Sequence, residues 1–247
     1  MPNVPGHLAI IMDGNRRWAR ARRLETLLGH DRGAENLKTI AQSSVDAQID
    51  WLTVFAFSSE NWTRSEHEVK GLMRLIISFI KTQAEELLKS NVRLRIIGRR
   101  DRFSDDLCFV MNDLEQRSST NTGLNLTVAL DYGGRQDITS ALIKIAEEIE
   151  TGMITATDIN DDLLKSRMHT KILPPVDLLI RTGGEKRLSN FLLWDLSYAE
   201  LFFSEKLWPD FTEKDLVEAL ASYGGRERRF GGGHYDDKKP LRAVVSD

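Results

Sequence analysis

The chain has 247 residues, of which 41% are hydrophobic and 29% charged, and its net charge is −3. This is the composition of an ordinary globular protein with room for one large α/β domain, and the slightly acidic balance gives no support to general nucleic-acid binding. Cys108 is the only cysteine, which excludes an internal disulfide and suits a reducing compartment, and no apolar run approaches the ~20 residues of a membrane span.

The first apolar run, Leu8 to Met12, is too short for the core of a signal peptide and lacks a charged segment before it, so it reads as a buried strand. A cytoplasmic protein is expected, with contact to a membrane surface left open. The run ends on Asp13-Gly14-Asn15, and a basic, helix-compatible segment follows through Arg23. Ala34 to Gln48 reads as a helix, and Trp51 to Phe57, rich in β-branched and aromatic residues, as a strand. Beyond the polar loop Ser58 to Ser65, the positions Val69, Leu72, Met73, Ile76, Phe79 and Ile80 keep the 3.6-residue period, which predicts a helix over about Glu66 to Lys89. Leu75 and Ile77 widen its apolar arc. That fits a helix buried on two sides, by the core and a subunit partner, or the wall of an apolar cleft for a long hydrocarbon.

Val92 to Ile97 reads as a strand, Asp105 to Arg117 as a helix and Leu124 to Leu130 as a strand. The loop Asp131 to Arg135 leads into a helix over Ile138 to Glu150, and Asp158 to Arg167 is a short helix. Pro174-Pro175 introduces the strand Val176 to Ile180, followed by a long polar loop, Arg181 to Asn190. Phe191 to Trp194 and Glu200 to Phe203 contain further strand candidates, and Glu213 to Tyr223 is the last helix. The alternation predicts a single α/β domain, a central, mainly parallel β-sheet flanked by helices. The domain is placed at residues 1–233, with 234–247 a polar tail expected to be loose.

A strand that hands over to a helix through Gly14 and Asn15 leaves backbone N–H groups unpaired at the helix start. Together with Arg16, Arg17 and Arg20 they suit phosphate. A lone carboxylate, Asp13, beside such a cradle fits Mg²⁺, which takes one or two carboxylates plus substrate oxygens. Asp-Gly-Asn is equally a good turn, and the arginines equally a solvated helix face. A phosphatase with an aspartyl nucleophile is a rival reading, weakened because Asn15 stands where its second Asp is expected. Three polar loops, Asp13 to Arg17, Ser58 to Arg64 and Arg181 to Ser189, each follow a strand, and in a parallel sheet such loops gather at the carboxyl edge. Arg181, Arg187 and Ser189 read as one diphosphate clamp, and Gly14, Asn15, Arg16 and Arg17 as another. Two clamps, Mg²⁺ and an apolar cleft suggest a reaction joining two diphosphates that carry hydrocarbon tails.

Six ordered stretches sharpen this: Met12-Asp13-Gly14-Asn15-Arg16-Arg17-Trp18-Ala19 with Gly29-His30, Phe57-Ser58-Ser59-Glu60-Asn61-Trp62, Tyr132-Gly133-Gly134-Arg135, Arg181 through Trp194, Ala199-Glu200-Leu201, and Arg228-Arg229-Phe230-Gly231-Gly232. In this order, from about residue 5 to 233, the chain resembles the cis-prenyltransferases, and among them the bacterial undecaprenyl diphosphate synthases. The Asp-Asp-x-x-Asp clusters of the trans class are missing.

The resemblance implies a homodimer with an apolar tunnel, in which farnesyl diphosphate is extended by successive additions of isopentenyl diphosphate, to make a lipid carrier for wall synthesis. It implies that Asp13 binds Mg²⁺ and helps ionise the allylic diphosphate, and that Gly14, Asn15, Arg16, Arg17, Trp18 and His30 hold that substrate. Arg181, Arg187 and Ser189 would hold isopentenyl diphosphate, with Glu200 near the metal or the partner subunit's site. Ser58, Glu60, Asn61, Trp62 and Arg64 match a loop that orders over the substrates, and Asn61 is a candidate for assisting proton removal. Gly231 to Gly233 would lie near the partner's active site. Taken singly, His30 also fits a helix-terminal histidine, Trp62 a packing residue and Glu200 a locally paired carboxylate.

The chain departs from the family pattern in places. Arg16 stands where Gly is common, Leu24-Glu25-Thr26 where Leu-Pro-Arg is usual, Ser65 for Pro and Asp131 for Asn. A non-catalytic binding subunit on the same fold should lack the metal Asp or the clamp arginines, and Asp13, Asn61, Arg181 and Arg187 are all present. Within the enzyme reading a shorter product is the alternative, set by residues plugging the far end of the tunnel near Leu124 and the long helix.

Overall fold

The structure, a computed structural model, describes residues 4–82 and 84–225. Its strands are β1 (His7–Ile11), β2 (Trp51–Ser58), β3 (Arg93–Ile97), β4 (Asn125–Tyr132), β5 (Leu178–Arg181) and β6 (Glu200–Phe203). Its helices are α1 (Asn15–Ala21), α2 (Thr26–Asp46), α3 (Glu66–Thr82), α4 (Ala84–Lys89), α5 (Asp105–Arg117), α6 (Gly134–Glu150), α7 (Asp161–Arg167) and α8 (Glu213–Gly224). The strands form one six-stranded sheet, ordered β3-β4-β2-β1-β5-β6, with every neighbouring pair parallel. All of β1 is buried, as expected of a central parallel strand covered on both faces, which is why it reads as an unbroken apolar run. Among the described residues no helix is long and apolar enough to cross a membrane.

The chain lays β2, β4 and β3 on one side of β1, then crosses over to lay β5 and β6 on the other. The switch falls between β1 and β5, and the crevice outside their carboxyl ends is where an open α/β sheet binds ligands. One face packs beneath Leu37 and Ile40 of α2, Leu72 and Ile80 of α3, Met111 of α5 and Leu216 of α8. The other packs beneath the irregular segment 188–199, where Phe191 stacks on Phe55 with ring centroids 4.5 Å apart.

Several expectations need correction. Helix α2 begins at Thr26 rather than Ala34. Glycines that look like helix breakers are instead points of close approach. A Cβ on Gly29 would lie 2.2 Å from Asn15 O, and one on Gly33 would lie 2.5 Å from Asn15 Oδ1. Phe191 to Trp194 is not a strand. Ser189, Asn190 and Leu192 have φ of 49°, 64° and 40°, which no extended chain can hold, so the apolar residues are buried through turns. The expected helix Glu66 to Lys89 is described as α3 and α4, with the residue between them outside the described residues. Ser59–Thr63, expected as loop, is a 3₁₀ turn, and the expected loop at Asp131 to Arg135 is taken up by the end of β4 and the start of α6. The Arg228 to Gly232 motif and the expected tail 234–247 lie outside the described residues.

Candidate active site

The switch point is bridged by an ion pair. Arg181 ends β5 and Asp13 follows β1, and Arg181 Nη2 donates to Asp13 Oδ2 at 2.9 Å. Arg181 is almost fully buried and also donates through Nη1 to Ser189 Oγ at 2.7 Å and to the carbonyl of Arg187. Its Nε is buried with no protein partner among the described residues. The second oxygen of Asp13 faces Arg17, whose Nη2 lies 3.2 Å from Oδ1. Arg17 Nη1 donates to Gly183 O at 2.6 Å, and Gly183 sits at φ 85°, a conformation suited to glycine. The Asp13 carbonyl accepts from Thr182 Oγ1 at 2.7 Å and from Trp208 N at 3.0 Å. The carboxylate is therefore fixed in place but about 29% exposed.

Gly14 caps α1 with φ 117°, and Asn15 begins the helix. Asn15 Nδ2 lies 3.4 Å from His30 Nδ1, which makes Nδ1 the acceptor and leaves the ring proton on Nε2. Burial, reinforced by Arg64 and Arg16 against the opposing Glu68, pushes the His30 pKa down to about 4, so the ring is neutral near pH 7 and Nε2–H is a donor. Asn15 Oδ1 and His30 Nε2 are both buried with no hydrogen-bond partner among the described residues. Glu68 was missed in the sequence. Its carboxylate lies 3.0 Å from Arg64, 3.7 Å from Arg16 and 3.9 Å from His30. The i,i+4 spacing of Arg64 and Glu68 was the available clue. The unusual Arg16 thus pairs across the site.

These groups line two adjoining clefts. One, with about 1270 Å³ of open space, is walled by the Gly14 to Arg17 stretch, with His30 and Arg64. The other, about 920 Å³, brings in Ser58, Asn61, Arg181, Arg187 and Ser189. Both contain Asp13, Asn15, His30 and Arg64. A third, apolar cavity, with about 850 Å³ of open space, lies between the sheet and α2 and α3. It meets both clefts at Met12, Asn15 and His30 and runs down past Ala56, Ile76, Phe79 and Val128 to Leu94 and Leu114. Leu124 is buried but does not line it.

Not every expected residue enters the clefts. Trp18 donates through Nε1 to Asp210 Oδ1 at 2.7 Å and carries Arg22 over its ring at 4.3 Å. Trp62 packs edge-on against Phe57 at 5.3 Å, with Arg102 over its ring at 5.0 Å and Arg102 in turn paired with buried Asp131. Glu60 accepts from Asn190 Nδ2 at 2.9 Å, tying two of the loops together. Asn61 Oδ1 accepts from Ser58 N at 3.1 Å, which fixes its amide. Arg187 lines the second cleft but is 60% exposed and paired with Glu185.

Glu200 is the clearest separation. It starts β6, paired with Leu178, whereas Asp13 follows the opposite end of β1, so the two lie at opposite edges of the sheet. Across strands rising ~3.3 Å per residue they cannot share an ion within one chain. The order of motifs in the sequence hides strand direction.

Among the described residues no three His, Cys, Asp or Glu side chains form a metal cage. Asp13 alone fits an ion that takes most of its ligands from substrate oxygen and water, as Mg²⁺ does, and each of its oxygens keeps a lone pair beyond its arginine bond.

Known proteins place the chain. A family model described as putative undecaprenyl diphosphate synthase matches residues 11–231. The ditrans,polycis-undecaprenyl-diphosphate synthase ((2E,6E)-farnesyl-diphosphate specific) of Haemophilus ducreyi is 47% identical over 230 residues, 93% of this chain and 95% of that one. The crystal structure of lavandulyl diphosphate synthase from Lavandula x intermedia, in complex with dimethylallyl diphosphate, superposes with a TM-score of 0.90 at 40% identity, covering 92% of this chain and 98% of that one. A probable undecaprenyl diphosphate synthase from Campylobacter jejuni gives a TM-score of 0.76 at 32% identity, covering 93% and 99%. The chain belongs to this prenyltransferase family.

Proposed function

We propose that the protein elongates an allylic diphosphate, farnesyl diphosphate, with isopentenyl diphosphate units in cis, giving a long-chain polyprenyl diphosphate such as undecaprenyl diphosphate, a carrier lipid for the peptidoglycan wall. The observation that carries this reading is the junction of two arginine-lined clefts with an apolar cavity at Met12, Asn15 and His30. A hydrocarbon tail in that cavity puts its diphosphate among Gly14, Asn15, Arg16, Arg17 and His30. Isopentenyl diphosphate then occupies the neighbouring cleft, held by Arg181, Arg187 and Ser189. Two substrates held in register lose the entropic cost of meeting.

Breaking the allylic C–O bond leaves charge on the departing diphosphate, and Arg17, the Asn15 amide and the His30 Nε2–H are placed to receive it. Bound at Asp13, Mg²⁺ would add Lewis-acid stabilisation of that charge. The new carbon–carbon bond forms between the allylic carbon and the terminal alkene carbon of isopentenyl diphosphate, which leaves the positive charge on the methyl-bearing carbon, and loss of a proton from the next carbon toward the diphosphate restores a double bond. A neutral amide is no base near pH 7, so Asn61, with its Oδ1 held by Ser58, acts by orienting the oxygen that takes the proton. Glu60, Trp62 and Arg64 hold the loop over the clefts, and Trp18 anchors α1. A homodimer is supported by β6 ending the sheet among the described residues, where a second copy can lie alongside it, and Glu200 then serves at the partner's side. Action in the cytoplasm at the inner membrane face suits a single free cysteine and a lipid product.

A shorter product is the second reading, set by where the apolar cavity ends, at Leu94 and Leu114. Incubation with farnesyl diphosphate, labelled isopentenyl diphosphate and detergent, with Mg²⁺ or EDTA, tests both. A Mg²⁺-dependent product of about eleven isoprene units is expected. A ladder stopping early selects the second reading, and no incorporation contradicts both.

A further inference from the structure

Helix α1 closes with a hydrogen-bond pattern that ordinarily calls for glycine. Leu24 N donates to Ala19 O at 2.9 Å and Arg23 N donates to Arg20 O at 3.1 Å, the paired arrangement of a Schellman end. The residue left in the left-handed region is Arg23, at φ 56°. An L side chain is strained there and glycine relieves the strain. Gln48 and Asn91 end helices α2 and α4 in the same way, at φ 59° and 60° and away from the clefts, so what sets Arg23 apart is the cleft it lines.

Four of the neighbouring arginines are engaged. Arg22 pairs with Asp210 at 3.1 Å and stacks on Trp18, Arg17 spans Asp13 and Gly183, and Arg16 and Arg64 share Glu68. Arg20 and Arg23 have no carboxylate partner among the described residues, yet both line the cleft that holds Asp13, Arg17 and His30. Their position within it is informative. The residues this cleft shares with the apolar cavity are Met12, Asn15 and His30, so the hydrocarbon end lies there. Arg20 and Arg23 line this cleft and neither of its two neighbours, so they lie away from its junction with the apolar cavity.

We infer that Arg23, with Arg20, is a binding residue for the outer phosphate of the allylic diphosphate, the strained turn aiming a guanidinium fork at the group farthest from the ionising carbon. This rests on the reading of the cleft as the allylic site. Arginine binds a phosphate through two parallel N–H bonds, and among the described residues no carboxylate competes for them.

Arg23→Gly removes the charge and the strain together, so its effects on stability and binding have opposite signs. The variant is expected to melt at a higher temperature than wild type. By isothermal titration with Mg²⁺ present, it is expected to bind farnesyl diphosphate roughly tenfold more weakly, and farnesyl monophosphate within about twofold of wild type. The KM for isopentenyl diphosphate is expected to stay unchanged. A merely structural turn residue would not discriminate between the two farnesyl ligands. Equal weakening of both ligands, or no weakening, with wild type binding normally, overturns the inference alone. A wild type that binds neither ligand overturns the reading of the cleft beneath it.

Discussion

Phe55 and Ala56 are neighbours on β2 and end on opposite faces of the sheet. Phe55 stacks on Phe191 at 4.5 Å, with Tyr132 edge-on at 6.3 Å, in a face filled by irregular chain. Ala56 lines the apolar cavity beneath α2 and α3. The register of β2 against β4 shifts between Phe55 and Phe57, so Ala56 is an extra residue and Phe57 also turns toward the cavity side, where it backs Trp62. One face spends its aromatic volume on packing. The other leaves space that close-packed interiors do not leave, at a cost in lost contacts. Under the proposed function, the hollow face, not the better-packed one, carries the substrate.

The largest effects should separate the two faces. Phe191→Ala removes a fully buried ring from the packed face and should cost about 3–5 kcal/mol in urea unfolding, while leaving product chain length as in wild type. A shifted product distribution would mean that the packed face also shapes the tunnel. At the carboxyl edge, Asp13→Ala should lower labelled isopentenyl incorporation by roughly 10²–10³-fold and leave the circular dichroism spectrum unchanged. Retained turnover would remove Asp13 from the chemistry.

A smaller effect concerns pH and touches both ends of the sheet. His30 at the cleft and His7 on β1, which contacts Pro174 O and Thr53 Oγ1 at 2.8 Å each, are both lowered by burial to a pKa of about 4 from 6.5. Between those values the unfolded chain binds protons that the folded chain refuses. Stability is thus held above pH 6.5 and lost as pH falls toward 4, by on the order of 2 kcal/mol per histidine at pH 5. Urea midpoints at pH 7 and pH 5 check this, and equal midpoints would contradict it.

Much of this was legible in the sequence, and the failures have physical causes. The helix Asp105 to Arg117 was read with its bounds correct because Ser104 caps it, accepting from Leu107 N, and its apolar period is regular. The start of α2 was hidden because Gly29 and Gly33 serve packing against Asn15 rather than local propensity. Phe191 to Trp194 has the apolar content of a strand, and only its positive φ values forbid one. At the site, the loops after β1, β2 and β5 do converge, because parallel strands deliver their loops to one edge. Glu200 fails to join Asp13 because a motif at the start of a strand faces the other edge. Glu68 went unread because it sits on a helix rather than in a loop, where its pairing with Arg64 looks like ordinary surface charge.

The central claim is that the growing chain occupies the hollow face. The most direct measurement is the product length made by Val128→Phe, whose added ring would project into the cavity wall opposite α3. Extracted products labelled from isopentenyl diphosphate would be separated by chain length beside those of wild type. A shift to shorter products, with the first condensation largely retained, is the expected result. The same product lengths from a folded variant would contradict the account and place the hydrocarbon elsewhere.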